Sequence, residues 1–169
     1  MISPAYVQLM ARYNKWQNDN LYSAADKLPD GERKRDAAAF FGSIHATLCH
    51  LLWGDLTWMH RFEPRLPAAP PLADRTAFAG LWPEWTGLRR CRASFDADII
   101  GWADRLPAAW LDGDLTWTSS DGTRTSTASR AMLVAQFFNH QTHHRGQVHC
   151  MLTQAGVKPG DTDLPLMPN

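Results

Sequence analysis

The chain has 169 residues, the size of one domain with its own hydrophobic core, and we predict a single domain over residues 1–169. Its 17 Lys and Arg residues balance 17 Asp and Glu residues, so the sequence lacks the positive charge that binding to nucleic acid or to an anionic membrane surface requires. The absence of a signal-peptide pattern and of any run of about 18 apolar residues predicts a cytoplasmic protein without a membrane span.

Large and apolar side chains recur every three or four residues in three stretches, which is the spacing of helices with a buried face. The first predicted helix covers residues 5–28. The second covers about residues 36–62 and is apolar on more than one side. A proline-rich irregular link follows at residues 63–74. The third predicted helix covers residues 78–106, with a kink or a restart at Pro83.

The pattern changes after the third helix. Threonine alternates with other side chains over residues 115–127, around an Asp-Gly turn signal, which predicts a short β-hairpin. Ser126 or Thr127 can cap a fourth helix over about residues 128–155, and Gly156 is its expected stop. Four long helices and one hairpin predict an all-α antiparallel four-helix bundle with a short β-hairpin before the last helix.

Four of the seven histidines lie in one ten-residue stretch of the fourth predicted helix, residues 140–149. At about 100° per residue, His140 and His144 fall on the apolar face of that helix, whereas His143 and His149 point to opposite sides of it. Two imidazoles one helical turn apart can bind the same metal ion, and burying them without a partner would be unfavourable. The sequence therefore predicts a metal site at His140 and His144, with His143 and His149 at the surface or behind the ligands.

A third ligand has to come from another helix. The second predicted helix offers four candidates: His45, His50, Asp55 and His60. On the helical wheel His45 and Asp55 lie near the main apolar stripe, and His50 lies on another side. Because this helix is apolar almost all round, the spacing alone leaves the choice open.

Several stretches of the sequence resemble the DinB-like (DinB/YfiT) superfamily, named after damage-inducible protein B. One is NHQTHHRGQVHCMLTQAG with the tail KPGDTDLP, and another is FFGSIHATLCHLLWGDLTWMHRF, in which a histidine is followed eight residues later by tryptophan. The N-terminal YNKWQNDNLY and the hairpin also match, so the resemblance spans essentially the whole chain. It implies that His50 is the first metal ligand, in preference to His45, and that His140 and His144 are the other two.

The resemblance also implies a function. It leads us to expect a homodimeric four-helix bundle that binds a divalent ion such as zinc or nickel through three histidines, leaving a coordination position open. Related enzymes include bacillithiol S-transferases and mycothiol-dependent maleylpyruvate isomerases, so the expected activity is a transferase reaction between a small thiol and an electrophile. The alternatives are a metal-dependent hydrolase and a non-catalytic, metal-stabilised bundle of the stress response. No catalytic base is evident.

Four more residues are candidates for the surroundings of the metal. Trp53 and Trp58 are expected to form walls of a pocket. Asp55 could orient a ligand imidazole, or it could pair with a cation such as Arg61 or Arg145. Arg145 could attract an anionic substrate or thiol, or it could stabilise the fold by pairing with an acidic residue.

Overall fold

Four long α-helices form the body of the protein in the computed structural model, which describes residues 2–72, 74 and 77–168. The long helices are α1 (Pro4–Ala25), α3 (Ile44–Phe62), α4 (Trp85–Arg105) and α6 (Arg130–Gln154). The short elements are α2 (Asp30–Lys34), α5 (Ala108–Leu111), the strands β1 (Asp114–Thr118) and β2 (Thr125–Ser129), and two 3-10 helices (Phe78–Gly80 and Leu164–Leu166). The predicted helical bundle with a hairpin before its last helix is confirmed.

The four long helices enclose one hydrophobic core. Helix α1 packs against α4 and α6, and α3 packs against the same two helices on the other side. The largest fully buried apolar side chains come from all four of these helices. They are Val7, Leu48, Leu52, Met59, Leu88, Ile99, Val134, Phe137, Phe138 and Leu152. Among the described helices, none is both long and apolar enough to cross a membrane.

Helix α3 begins later than the sequence pattern predicted. Residues 36–43 form a tight loop in which Ala38 and Gly42 have positive φ angles of 52° and 78°. A right-handed helix cannot continue through such residues, so the prediction of a helical start near residue 36 is wrong. The helix starts instead at Ile44, where the side chain of Ser43 accepts a hydrogen bond from a main-chain N–H of the first turn.

The proline-rich link is irregular, and the third predicted helix is divided into a 3-10 turn and α4. Residues 63–72 contain no helix or strand, as predicted, while residue 73 lies outside the described residues. The indole N–H of Trp53 donates a hydrogen bond of 3.0 Å to the carbonyl of Pro70 and ties the link to α3. The predicted restart at Pro83 is present: a 3-10 helix lies before this proline, and α4 begins after it at Trp85.

The hairpin leads directly into α6. Strands β1 and β2 pair antiparallel with Thr116 opposite Thr127, and the two hydroxyl groups are 2.7 Å apart. The helix cap predicted at Ser126 or Thr127 is wrong, because both residues are paired in β2. The cap is Ser129, whose hydroxyl accepts from a main-chain N–H in the first turn of α6. The predicted stop is present, since Gly156 follows α6 with a φ of 80°.

Candidate metal centre

Helices α3 and α6 bring three histidines together. His50 lies in the first half of α3, and His140 and His144 lie one turn apart on α6. One ring nitrogen of each lies within 4.8 Å of the others, and the Nε2 atoms of His50 and His140 are 3.2 Å apart. Two nitrogen ligands of a tetrahedral zinc ion, each about 2.0–2.1 Å from the metal, are about 3.4 Å from each other. The cluster could therefore hold a metal ion, and we call it the histidine triad.

Gln147 orients one member of the triad. Its side-chain carbonyl oxygen lies 2.7 Å from Nδ1 of His144, so it accepts the Nδ1 proton and leaves the Nε2 lone pair available for a metal. The amide nitrogen of Gln147 lies 3.4 Å from Nε2 of the exposed His143. Gln147 was not among the predicted site residues, although its position three residues after His144 on one helix could have indicated this contact.

Two phenylalanines cover the triad, and neither was predicted to be a site residue. Phe41 stacks on His50 with ring centroids 3.9 Å apart, and its ring lies 5.3 Å from that of His144. Phe78 meets the His50 ring edge-on at 4.7 Å. Phe41 reaches this place because it belongs to the loop before α3 rather than to a helix. The two rings exclude water from part of the cluster and hold the His50 imidazole in place.

A glycine on α3 makes room for His140. A Cβ atom built on Gly54 would lie 3.2 Å from Cε1 of the His140 ring, closer than nine in ten such contacts in proteins. The bare backbone of α3 therefore allows the imidazole to lie against the helix one turn beyond His50. Such close helix packing is a general use of glycine, but helical periodicity does not reveal which glycine has this role.

Two imidazoles of the triad have lowered pKa values, which favours the neutral form that metal binding requires. Burial, with smaller contributions from His144 and His143, lowers the pKa of His140 to about 4. Burial also lowers the pKa of His144 below its ordinary value. Neutral imidazole nitrogens suit zinc, nickel and other late first-row divalent ions. The donor set therefore fits the kind of ion that the family resemblance implies.

The other candidate ligands of the second predicted helix are engaged elsewhere. Nε2 of the fully buried His45 lies 2.8 Å from the carbonyl oxygen of Trp82, and burial lowers the pKa of this imidazole. Nδ1 of His60 lies 2.8 Å from the carbonyl oxygen of Leu66. Helix α3 thus brings His50 to α6, whereas the wheel alone had slightly favoured the side with His45.

Asp55 forms a buried ion pair. Its Oδ2 lies 2.6 Å from Nη1 of Arg92 on α4, and both side chains are less than 5% exposed. Nη2 of Arg92 lies 2.9 Å from Asp96, which also accepts a hydrogen bond from Asn18 on α1. Of the two predicted roles of Asp55 the structure shows the ion pair, with Arg92 as the cation rather than Arg61 or Arg145. The ligand imidazole of His144 is oriented by the side-chain oxygen of Gln147 instead of by Asp55.

Arg145 is buried between α6 and α1. Its guanidinium donates hydrogen bonds to Asn14 and Thr142, and it lies 5.6 Å from the centre of the Tyr13 ring. The ion pairs among the described residues do not include Arg145, so its expected acidic partner is replaced by an amide. Arg145 and His149 line a separate cavity of about 350 Å³ at this interface. These contacts link two helices of the bundle.

A cavity of about 410 Å³ opens beside the triad, and we call it the triad cavity. Its size is typical of a small-molecule site. His140 contributes to its wall, and Trp53 and Trp58, the predicted wall residues, both line it. The other lining residues are Gly54, Thr57, Arg61, Leu72, Phe78, Trp117, Ser119, Ser120 and Asp121. The hairpin thus closes a cavity whose floor belongs to α3 and α6.

The family relationship agrees with this arrangement. The sequence profile of the DinB family matches residues 1–169. Protein DinB of Bacillus subtilis (strain 168) is 28% identical over 157 residues, which cover 89% of this chain and 87% of that protein. The family match includes both helices that carry the histidine triad and the hairpin that closes the cavity beside it. This chain is a member of the DinB family.

Proposed function

We propose that this protein is a metal-dependent enzyme, an S-transferase that joins a small thiol to an electrophile. Zinc or nickel would be held by His50, His140 and His144. The observation that carries the proposal is the convergence of three imidazole nitrogens within 4.8 Å beside a cavity of about 410 Å³. Three protein ligands leave a divalent ion open to a further ligand, and such an ion favours the deprotonated form of a thiol at neutral pH.

The residues around the triad would each serve this reaction. Gln147 holds the His144 imidazole in the tautomer that presents Nε2. Phe41 and Phe78 keep water from one side of the cluster, which strengthens electrostatic interactions there. The tryptophans of the triad cavity offer flat apolar walls against which the carbon skeleton of an electrophile can pack.

The number of metal ligands and the lining of the cavity favour an S-transferase over a metal-stabilised structural bundle and over a hydrolase. A structural zinc site usually has four protein ligands, whereas the cluster of described residues offers three. A hydrolase would use a base to activate water, but Asp121, the one carboxylate among the described lining residues, accepts hydrogen bonds within its own turn. The homodimer and the cytoplasmic location stay predictions.

The first test measures metal content. We expect about one divalent ion per chain in the purified protein by inductively coupled plasma mass spectrometry, and a loss of most of it in His144→Ala. His143→Ala is the matched control, because it removes the neighbouring, exposed histidine of the same helix. Equal metal content in the wild type and His144→Ala would contradict the assignment, provided that thermal melting shows both to be folded.

The second test addresses the thiol. The cobalt-substituted protein should develop a near-ultraviolet charge-transfer band when N-acetylcysteine is added, and the wild type should conjugate that thiol to monobromobimane faster than His144→Ala does. In this conjugation the sulfur–carbon bond forms as bromide leaves. If the band is absent and the rates are equal, the S-transferase proposal is wrong, whatever the metal content.

A further inference from the structure

Arg61 lies in the wall of the triad cavity, and no described residue of the chain forms an ion pair with it. It is half-buried, and its guanidinium packs over the ring of Trp58 at 4.7 Å. One N–H donates a hydrogen bond of 3.0 Å to the carbonyl oxygen of Thr118 at the end of β1. The ion pairs among the described residues do not include Arg61, and its other N–H groups make no hydrogen bonds there.

The surroundings of Arg61 favour an anion. Burial lowers the pKa of this guanidinium, because a partly desolvated cation lacks the compensation of a nearby carboxylate. Asp121 lines the same cavity, but its carboxylate accepts hydrogen bonds from the Ser119 hydroxyl and from the N–H and hydroxyl of Thr123. A carboxylate on a bound molecule would supply the anionic partner that the described part of the chain does not provide.

A single arginine is better suited to a carboxylate than to a phosphate. The planar guanidinium can bind both oxygens of a carboxylate, and one positive charge balances one negative charge. A phosphate dianion would call for a second cation, and the described lining of the triad cavity contains no other lysine or arginine. The lining instead offers Trp53, Trp58 and Trp117, with the last two rings 5.4 Å apart.

The distance along α3 between Arg61 and the His140 ring indicates how long a ligand would have to be to contact both. Gly54, against which the His140 ring lies, and Arg61 are seven residues apart on the cavity side of this helix. Seven residues correspond to a rise of about 10 Å along the helix. A molecule spanning about this length could place one end on Arg61 and the other beside His140.

We propose that the triad cavity binds a small carboxylate-bearing substrate, with its carboxylate on Arg61, a flat apolar body against the tryptophans and its reacting end beside His140. This assignment rests on the proposed function for the reaction at the triad. The binding mode itself does not require turnover and can be measured separately. Arg61 is thereby a specificity-determining residue for the electrophile or for the thiol.

The experiment compares two probes that differ only in charge. Binding of 4-fluorophenylacetate and of the neutral 4-fluorophenylacetamide to the metal-loaded protein is measured by fluorine NMR titration. We expect the wild type to prefer the carboxylate by roughly ten- to a hundredfold. Arg61→Gln should abolish this preference, and Arg61→Lys should retain part of it because it keeps the charge but not the planar fork. The control Arg65→Gln removes the same charge from a side chain that is 85% exposed and should leave the preference unchanged.

The same titrations distinguish the binding role of Arg61 from the proposed metal-dependent function. If the wild type binds both probes equally or binds neither, or if Arg61→Gln keeps the preference, the assignment of Arg61 is wrong. A preference that disappears on treatment with a chelator but persists in Arg61→Gln would show that the ion, not Arg61, binds the carboxylate. Arg61→Gln should keep the full metal content and the wild-type melting temperature. A protein that binds no metal but prefers the carboxylate through Arg61 would contradict only the proposed function.

Discussion

The room for the His140 ring depends on the missing side chain of Gly54. The glycine lies one turn after His50 on α3, so the two ligands from different helices approach each other at Nε2 to 3.2 Å. Phe41 holds His50 from one side, and Gln147 holds His144 from another. At the scale of residues the site thus consists of three donors and of the neighbours that restrict their orientation.

Gly54→Ala should weaken metal binding while it leaves the fold intact. The new Cβ would lie 3.2 Å from Cε1 of His140, so the ring has to shift away from its partners. We expect a loss of roughly tenfold in metal affinity, the lower end of what changes around metal ligands produce. Alanine favours the helix by about 0.5–1 kcal/mol, which should offset part of the crowding in the metal-free protein. Competition with a chromophoric chelator measures the affinity.

Gly146→Ala is the control for this prediction. A Cβ at Gly146, on α6, would have no neighbour within 4 Å, so the substitution should stabilise the helix without changing the metal affinity. Equal affinity of the wild type and Gly54→Ala would mean that the close contact between α3 and His140 does not shape the site.

Helix α3 is the element that joins the two parts of the site. His50, Gly54, Trp58 and Arg61 follow one another at intervals of three or four residues, so one side of this helix runs from the triad along the cavity. Another side carries Asp55, whose buried pair with Arg92 ties the helix to α4. This explains why the helix is apolar or functional on nearly all of its faces and has no simple amphipathic pattern.

Ser43→Ala should destabilise the protein by about 1 kcal/mol, the usual effect of removing a helix cap. The Ser43 hydroxyl accepts a hydrogen bond of 3.1 Å from the N–H of Ala46, which alanine cannot replace. Urea unfolding measures the difference. Ser94→Ala, at an exposed position inside α4, should have no effect or stabilise slightly, because alanine favours helix interiors. Equal losses for the two variants would argue against a capping role for Ser43.

The whole molecule combines an apolar core with a polar network across three helices. Asn18 on α1, Asp96 and Arg92 on α4 and Asp55 on α3 form one chain of hydrogen bonds and ion pairs. Breaking such a buried pair from one side typically destabilises a protein by about 3–5 kcal/mol. The network therefore maintains the helix arrangement on which the triad depends. The triad makes the free energy of unfolding depend on pH.

The free energy of unfolding of the metal-free protein should decrease as the pH falls from 7 to 5. Unfolded His140 takes up a proton near its ordinary pKa of about 6.5, whereas the folded residue does so only near a pKa of about 4. The unfolded state therefore binds more protons in this window, and stability is lost with acid. The loss attributable to His140 is roughly 2 kcal/mol at pH 5.

Urea unfolding in the presence of a chelator, at several pH values between 7 and 5, tests this expectation. His140→Gln should show a shallower dependence on pH, and His143→Gln, which changes an exposed histidine, should keep the dependence of the wild type. An unchanged slope in His140→Gln would show that this imidazole is not kept neutral by the fold.

Features that lie within a single helix could be predicted from the sequence. The inward direction of His140 and His144 and the existence of the four long helices follow from a period of 3.6 residues. The stop at Gly156 follows from the ease with which glycine adopts a positive φ angle. The choice of His50 required the family resemblance. The helical wheel could not decide because α3 is buried on several sides. The start of α3 was missed because residues 36–43 have apolar spacing but a loop backbone.

Only the tertiary structure decided how the elements meet. It pairs Asp55 with Arg92, leaves Arg61 without an acidic partner in the described chain and places Trp117 of the hairpin against Trp58. Such contacts depend on the rotation and offset with which helices and strands dock, and these are set by the packing of the whole core rather than by a local period. The helical period of the sequence therefore determined the candidate donors His140 and His144, its family resemblance added His50, and the packing determined what surrounds them.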